Sequence, residues 1–272
     1  MTGAGAGWRA QERLDRSGYQ LVLDEAFAGP DLDRGRWVDH YLPHWTTPER
    51  SAARYALGPD GLRLRVDADQ PAWLPEDGGL RVSNLQTGSF SGPAGSSTGQ
   101  MAHRPGLVVR TPQPTRRLWT PTAGLVEAVL RASPDPTCML AVWLVGLAEG
   151  GPATTGEVCV VELFGDALGR TRSTARVGVK AHQDPLLRED VVDVRLPIDA
   201  TEEHSYAAAW DERSTRFYVD DRLVHESRQG TAYPLQLMVD LFEFPVDERR
   251  DPARYPKEAW VRRVRGYEPA PR

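Results

Sequence analysis

Gly156-Glu157-Val158-Cys159-Val160-Val161-Glu162 is an apolar run carrying two carboxylates, and it reads as a β-strand buried within a sheet. Side chains alternate across a strand, so Glu157 and Glu162, five positions apart, point to opposite faces of a regular one. A single β-bulge between them adds one residue and brings both carboxylates to the same face. Cys159 then shares the face of Glu157. Two carboxylates on one rigid strand suit cleavage of a glycosidic bond, where one attacks the anomeric carbon and the other protonates the leaving oxygen. The spacing alone also fits two solvated carboxylates at the ends of a strand.

The same period of two recurs along the chain. Leu62, Leu64 and Val66 alternate with Arg63 and Arg65, and Val126, Ala128 and Leu130 interleave with Glu127, Val129 and Arg131. Phe217-Tyr218-Val219 and Leu223-Val224 flank Asp220-Asp221-Arg222, which reads as a hairpin turn. Breaks rich in Pro, Gly and Ser, such as residues 91–99, separate these runs. Many short strands and few helical periodicities predict an all-β chain, a sandwich or jelly roll. A chain of 272 residues without an internal repeat or a linker reads as one domain over residues 19–272. Residues 1–18 read as a flexible tail or one short helix.

Composition narrows the function. A net charge of −5 with interspersed signs lacks the basic stripe of a nucleic-acid surface. No run approaches the roughly 20 apolar residues of a membrane span, and residues 1–13 lack the apolar core of a signal peptide. The chain as written is therefore expected in the cytoplasm, as a monomer, unless a mis-set start codon or an unrecognised export route applies. Two cysteines are too few for a disulfide framework. Alternation places Met139 and Ala141 on the face of Trp143 and Cys138 on the opposite one, so Cys138 and Cys159 are expected to remain thiols. His40 and His44 have the spacing of metal ligands on a helix turn, but Pro43 between them opposes a helix. No zinc pattern, P-loop or dinucleotide fingerprint occurs, and no cofactor is expected.

An ordered set of segments over about residues 20–268 resembles the family-16 glycoside hydrolases, the laminarinases, lichenases and related endo-β-glucanases. Their active-site strand reads Glu-hydrophobic-Asp-x-x-Glu; Glu157 and Glu162 match it, and Cys159 replaces the Asp. Phe27–Trp37 resembles the family's opening segment, Gly124–Arg131 its Gly-x-x-Glu-x-x-x-Arg strand, and Ala141-Val142-Trp143-Leu144 the strand with a cleft tryptophan. His204–Trp210 with Phe217–Asp220, and then Trp260–Tyr267, are similar to its later strands.

The resemblance implies a concanavalin A-like β-sandwich jelly roll with a substrate groove on its concave sheet. It implies a retaining double displacement on a β-glucan or related polysaccharide or oligosaccharide, ending in hydrolysis or transglycosylation. Glu157 is then the nucleophile and Glu162 the general acid/base. Trp143 and His182 fall at the family's cleft tryptophan and histidine. Loops 39–53, 67–82, 91–106 and 182–192 are expected to shape the groove. They offer His44 and Trp45 as further contacts, and Trp73 as an aromatic face for a sugar ring. Glu243 stands where relatives carry small residues and is expected to narrow the groove. Cys159 supports the catalytic strand without the carboxylate that the family places there. Arg262 and Arg263 occupy the region of a family calcium ligand, so no metal is expected. A carbohydrate-binding protein without catalysis, and an enzyme acting on a small intracellular glycoside, are the alternatives.

Overall fold

The computed structural model describes residues 12–244 and 250–271, and residues 1–11 of the expected tail lie outside them. Two antiparallel sheets face each other. The larger comprises β1 (Tyr19–Glu25), β2 (Arg54–Gly58), β3 (Gly61–Val66), β7 (Gly124–Arg131), β12 (His204–Trp210), β13 (Thr215–Val219), β14 (Arg222–Ser227) and β16 (Lys257–Pro269). The smaller runs in the order β11 (Asp190–Leu196), β10 (Ser173–Lys180), β9 (Glu157–Phe164), β8 (Cys138–Gly146), β15 (Leu235–Glu243), β4 (Arg81–Gln86). A two-stranded ribbon, β5 (Gly88–Ser89) with β6 (Arg116–Arg117), completes the strands of the described residues.

The period-two patterns decide what lies between the sheets. Leu62, Leu64 and Val66 of β3 are buried there, while Arg63 and Arg65 face out and pair with Glu258 of β16. Val126, Ala128 and Leu130 of β7 meet Cys138, Leu140, Val142 and Leu144 of β8 in one continuous core. Burying such side chains contributes roughly 1.5–3 kcal/mol each.

The other face of the six-stranded sheet carries a second apolar cluster, in which Met139, Ala141 and Trp143 of β8 meet Tyr41, Trp45 and Trp73 from the loops. Cys138 and Trp143 thus lie on opposite faces, as alternation predicts, and both cysteines are buried thiols. Residues 12–18 contain no helix: Leu14 packs on the outer face of the larger sheet, and its amide donates to Asp221.

Candidate active site

β9 contains the bulge. Its ladder with β10 sets Gly178 opposite Cys159 and Arg176 opposite Glu162, so two steps on β10 span three on β9. On the other side Trp143 faces Cys159 and Val142 faces Val161, again skipping Val160. Val158, Val160, Val161 and Leu163 all enter the inter-sheet core. That turns Glu157, Cys159 and Glu162 outward together, with one ligand atom of each within 4.8 Å of the others.

All three are buried from solvent, and each is held in a defined state. Glu157 is 3% exposed. Its Oε2 is 2.7 Å from His182 Nε2 and its Oε1 is 2.9 Å from Lys180 Nζ. Burial pushes this carboxyl's pKa up, but the His182 hydrogen bond and the Lys180 charge outweigh it, and the net shift is downward. Glu162 accepts from Lys180 Nζ at 2.6 Å, with Arg176 Nη1 4.0 Å away. Burial and the adjacent Glu162 drive the Cys159 thiol well above its ordinary range, so it is neutral. Lys180 is opposed by burial, yet the surrounding acids raise its pKa and keep it charged.

His182 owes its position to backbone geometry. It adopts φ 46°, a left-handed conformation uncommon outside glycine. The neighbouring turn, Asp184 N–H to Ala181 carbonyl at 2.8 Å, and Gln183 N–H to Thr155 Oγ1 at 3.2 Å, hold it there. Strain of this kind is stored where the surroundings over-determine it.

Glu157, Glu162, Lys180, His182 and Trp143 line a cavity of about 330 Å³. All four loops expected to shape a groove contribute to it, through Tyr41, Trp73, Met101, His103 and His182 among others. Tyr41 meets Trp73 edge-on at 4.8 Å and Phe242 at 5.4 Å, and Phe242 stacks on Phe244. These aromatic faces offer surfaces to the apolar sides of sugar rings. A larger cavity of about 610 Å³ shares His103 with this one and continues past Gln183.

Three expected contacts are corrected. His44 and Trp45 are fully buried, with His44 Nε2 3.0 Å and Trp45 Nε1 2.8 Å from the Gln100 carbonyl. Burial lowers the His44 pKa to about 4. Neither lines the carboxylate cavity, because their loop folds inward. Glu243 is 1% exposed and bound by Lys257 at 2.8 Å and Arg250 at 3.0 Å, so it anchors the end of β15.

Two ionisable residues in contact with Glu157 or Trp143 have no counterpart in the sequence expectations. Lys180 is one. The other is Asp240, fully buried on β15, which accepts from Trp143 Nε1 at 2.6 Å and Asn84 Nδ2 at 2.7 Å. Burial raises its pKa well above the carboxylate range, and Glu157 adds to the rise. Asp240 fixes the plane of Trp143 from beneath.

Residues 120–243 match the family described as glycosyl hydrolases family 16. Among solved structures, the fold is similar to the GlcNAcα1-4Gal-releasing endo-β-galactosidase of Clostridium perfringens, at 24% identity and a TM-score of 0.77. That match covers 94% of this chain but 64% of the other, so the chain spans less than two thirds of that protein's length. The catalytic domain of the Thermotoga petrophila endo-1,3-β-glucanase (laminarinase) gives a TM-score of 0.63 at 16% identity, covering 93% of this chain and 99% of that one. The Rhodothermus marinus laminarinase gives 0.64 at 17% identity, with 93% and 98% covered. No curated protein matches the chain.

Proposed function

From the family-16 glycosyl hydrolase match over residues 120–243 and the β-sandwich fold, we propose that the chain is a retaining, endo-acting β-glycosidase of a glucan or galactan. The observation that carries this is the pair Glu157 and Glu162 on one face of β9, with carboxylate oxygens within 4.8 Å of each other. Retaining glycosidases place their carboxyls about 5–5.5 Å apart and inverting ones about 6.5–9.5 Å, where a water must fit between. The similar endo-β-galactosidase and endo-1,3-β-glucanase frame the choice of polymer.

In this mechanism Glu157, held ionised by His182 and Lys180, attacks the anomeric carbon. Glu162 gives its proton to the departing glycosidic oxygen. A water or a sugar hydroxyl then attacks the glycosyl ester, Glu162 takes its proton, and Glu157 leaves as carboxylate. Trp143 supplies a platform for the ring being cleaved.

Reducing-sugar release from β-1,3-, β-1,4- and mixed-linkage glucans and from β-galactans tests the reading. Wild-type protein should release sugar from at least one polymer, Glu157→Gln should fall to background, and Glu162→Gln should lose roughly 10²–10⁴-fold. Binding of an oligosaccharide with no release from any polymer would replace the enzyme with a carbohydrate-binding protein.

A further inference from the structure

The gap between the two carboxylates is where the scissile bond must enter, and a cation stands in it. Lys180 Nζ lies 2.9 Å from Glu157 Oε1 and 2.6 Å from Glu162 Oε1. β10 places it there, because its register sets Lys180 directly opposite Glu157. The chain uses arginine almost everywhere: of 33 basic residues only Lys180 and Lys257 are lysine. Both bridge two acids, Lys257 joining the buried Glu243 at 2.8 Å to Asp135 at 3.3 Å. A compact ammonium with three rotatable donors fits between two carboxylates, whereas a planar guanidinium needs a fork.

We propose that Lys180 is a positioning residue of the reaction centre: its ammonium holds Glu157 ionised and ties it to Glu162 in the free protein, then yields the gap to the substrate's anomeric carbon. The proposal rests on the reading of Glu157 as nucleophile. It also accounts for Cys159. The strand's middle position here is a neutral thiol, so Lys180, not residue 159, governs the charge of the pair.

The charge follows the chemistry. Before the reaction Glu162 carries the proton it will give, and Lys180 balances the charge of Glu157. When the Glu157 oxygen bonds to the anomeric carbon and the C–O bond to the leaving oxygen breaks, Glu157 becomes a neutral ester. The leaving oxygen has taken the proton of Glu162, and Lys180 is left facing one carboxylate. That is the carboxylate which next accepts a proton from the attacking water.

The groups facing Glu157 are few. β9 contributes Glu162 and the neutral Cys159, and β10 contributes Lys180 and, beyond Glu162, Arg176. The following loop contributes His182, and β15 contributes Asp240, whose pKa burial raises. Asp77 and His103 share the cavity but bond to each other at 2.7 Å, and the buried Tyr41 hydroxyl, its pKa raised by burial and in part by Asp240 and Glu157, lines it too. Among the described residues, Lys180 and His182 are thus the basic side chains in direct contact with Glu157.

The test follows the Glu157 carboxyl by ¹³C NMR in protein labelled at glutamate Cδ, with Glu157→Gln assigning the signal. In the wild type it should titrate below the ordinary glutamate value. Lys180→Met and Lys180→Gln should each raise the midpoint by about one pH unit or more, since an opposite charge at this distance lowers a carboxyl by about 1–3 units. Lys180→Arg, which keeps the charge, should raise it less. A wild-type midpoint at or above the ordinary value overturns the proposal, even if the variants fail to fold. So does an unchanged midpoint in Lys180→Met and Lys180→Gln. The readout needs no substrate, so its failure is distinct from failure of the polymer panel, which bears on the glycosidase reading alone.

Discussion

Cys159 sits between two glutamates, yet it is closed to chemistry of its own. It has no exposed surface, and burial together with Glu162 keeps it protonated. Thiol reagents act on the thiolate, so a disulfide-exchange reagent at pH 8 should leave the folded protein unlabelled and modify both cysteines after denaturation. Rapid labelling of the native state would contradict this geometry. Which residues could be read from sequence follows a simple physical line. Glu157, Glu162 and Trp143 were singled out by the resemblance of β9 and β8 to the family's strands, since plain alternation sets the two glutamates on opposite faces and a bulge is needed to bring them together. Lys180 was not, because its partners lie across a ladder, and the letters of β10 alone do not state that register. Asp240 lay hidden inside an apolar run whose hydrophobicity suggests only core. His44 and Trp45 misled because a histidine and a tryptophan suit a sugar groove and a loop's packed interior equally well. Glu243 misled because its cations, Arg250 and Lys257, follow it in the chain without any pattern in the letters to show that they reach back to it.

The strand beside the bulge, β10, is itself packed close against β11. Gly178, the residue facing Cys159, has φ +149°, and a Cβ there would stand 2.2 Å from the Asp190 carbonyl and 2.6 Å from Val191 Cα. Both atoms belong to backbone, so neither can rotate away. Gly178→Ala should therefore destabilise the protein by more than about 1 kcal/mol in chemical denaturation, and should lower turnover by disturbing the ladder that holds Lys180. Unchanged stability would mean that the β10–β11 pairing can shift freely. Deleting Val160 is a sharper test, of the bulge in β9 itself. Without the extra residue, Glu162 would turn toward the inter-sheet core, where an unpaired carboxylate costs several kcal/mol, and soluble expression should collapse. The need for a bulge was legible from two carboxylates at an odd separation in an otherwise apolar strand. The glycine that lets β10 and β11 approach became visible only once β9, β10 and β11 were seen side by side.

Taken together, the acidic groups set how the molecule responds to pH. Glu157, Asp24, Asp39 and Asp135 all titrate below their unfolded values of 4.5 and 3.8; burial opposes the shift most strongly in Glu157, Asp39 and Asp135, but cations and hydrogen bonds prevail. Their contribution to stability is complete above those unfolded values and is lost as pH falls through the lowered folded ones. Asp240 works in the opposite sense, since its raised value makes the folded state bind its proton more tightly. These lowered acids, joined by others such as Asp77 and Asp199, outweigh Asp240 and predict a melting temperature that declines steadily below about pH 4; a flat profile there would show that these pairs contribute little. One further consequence comes from β16. It pairs with β7 along one edge, and along the other with β3 through Lys257–Val261 and then β1 through Val264–Pro269. Three strands from the first half of the chain thus wait for one from its last segment. On the ribosome, the larger sheet cannot close until residue 269 has emerged, so the nascent chain exposes unpaired strand edges for most of its synthesis, and its yield depends on what shields them in that interval.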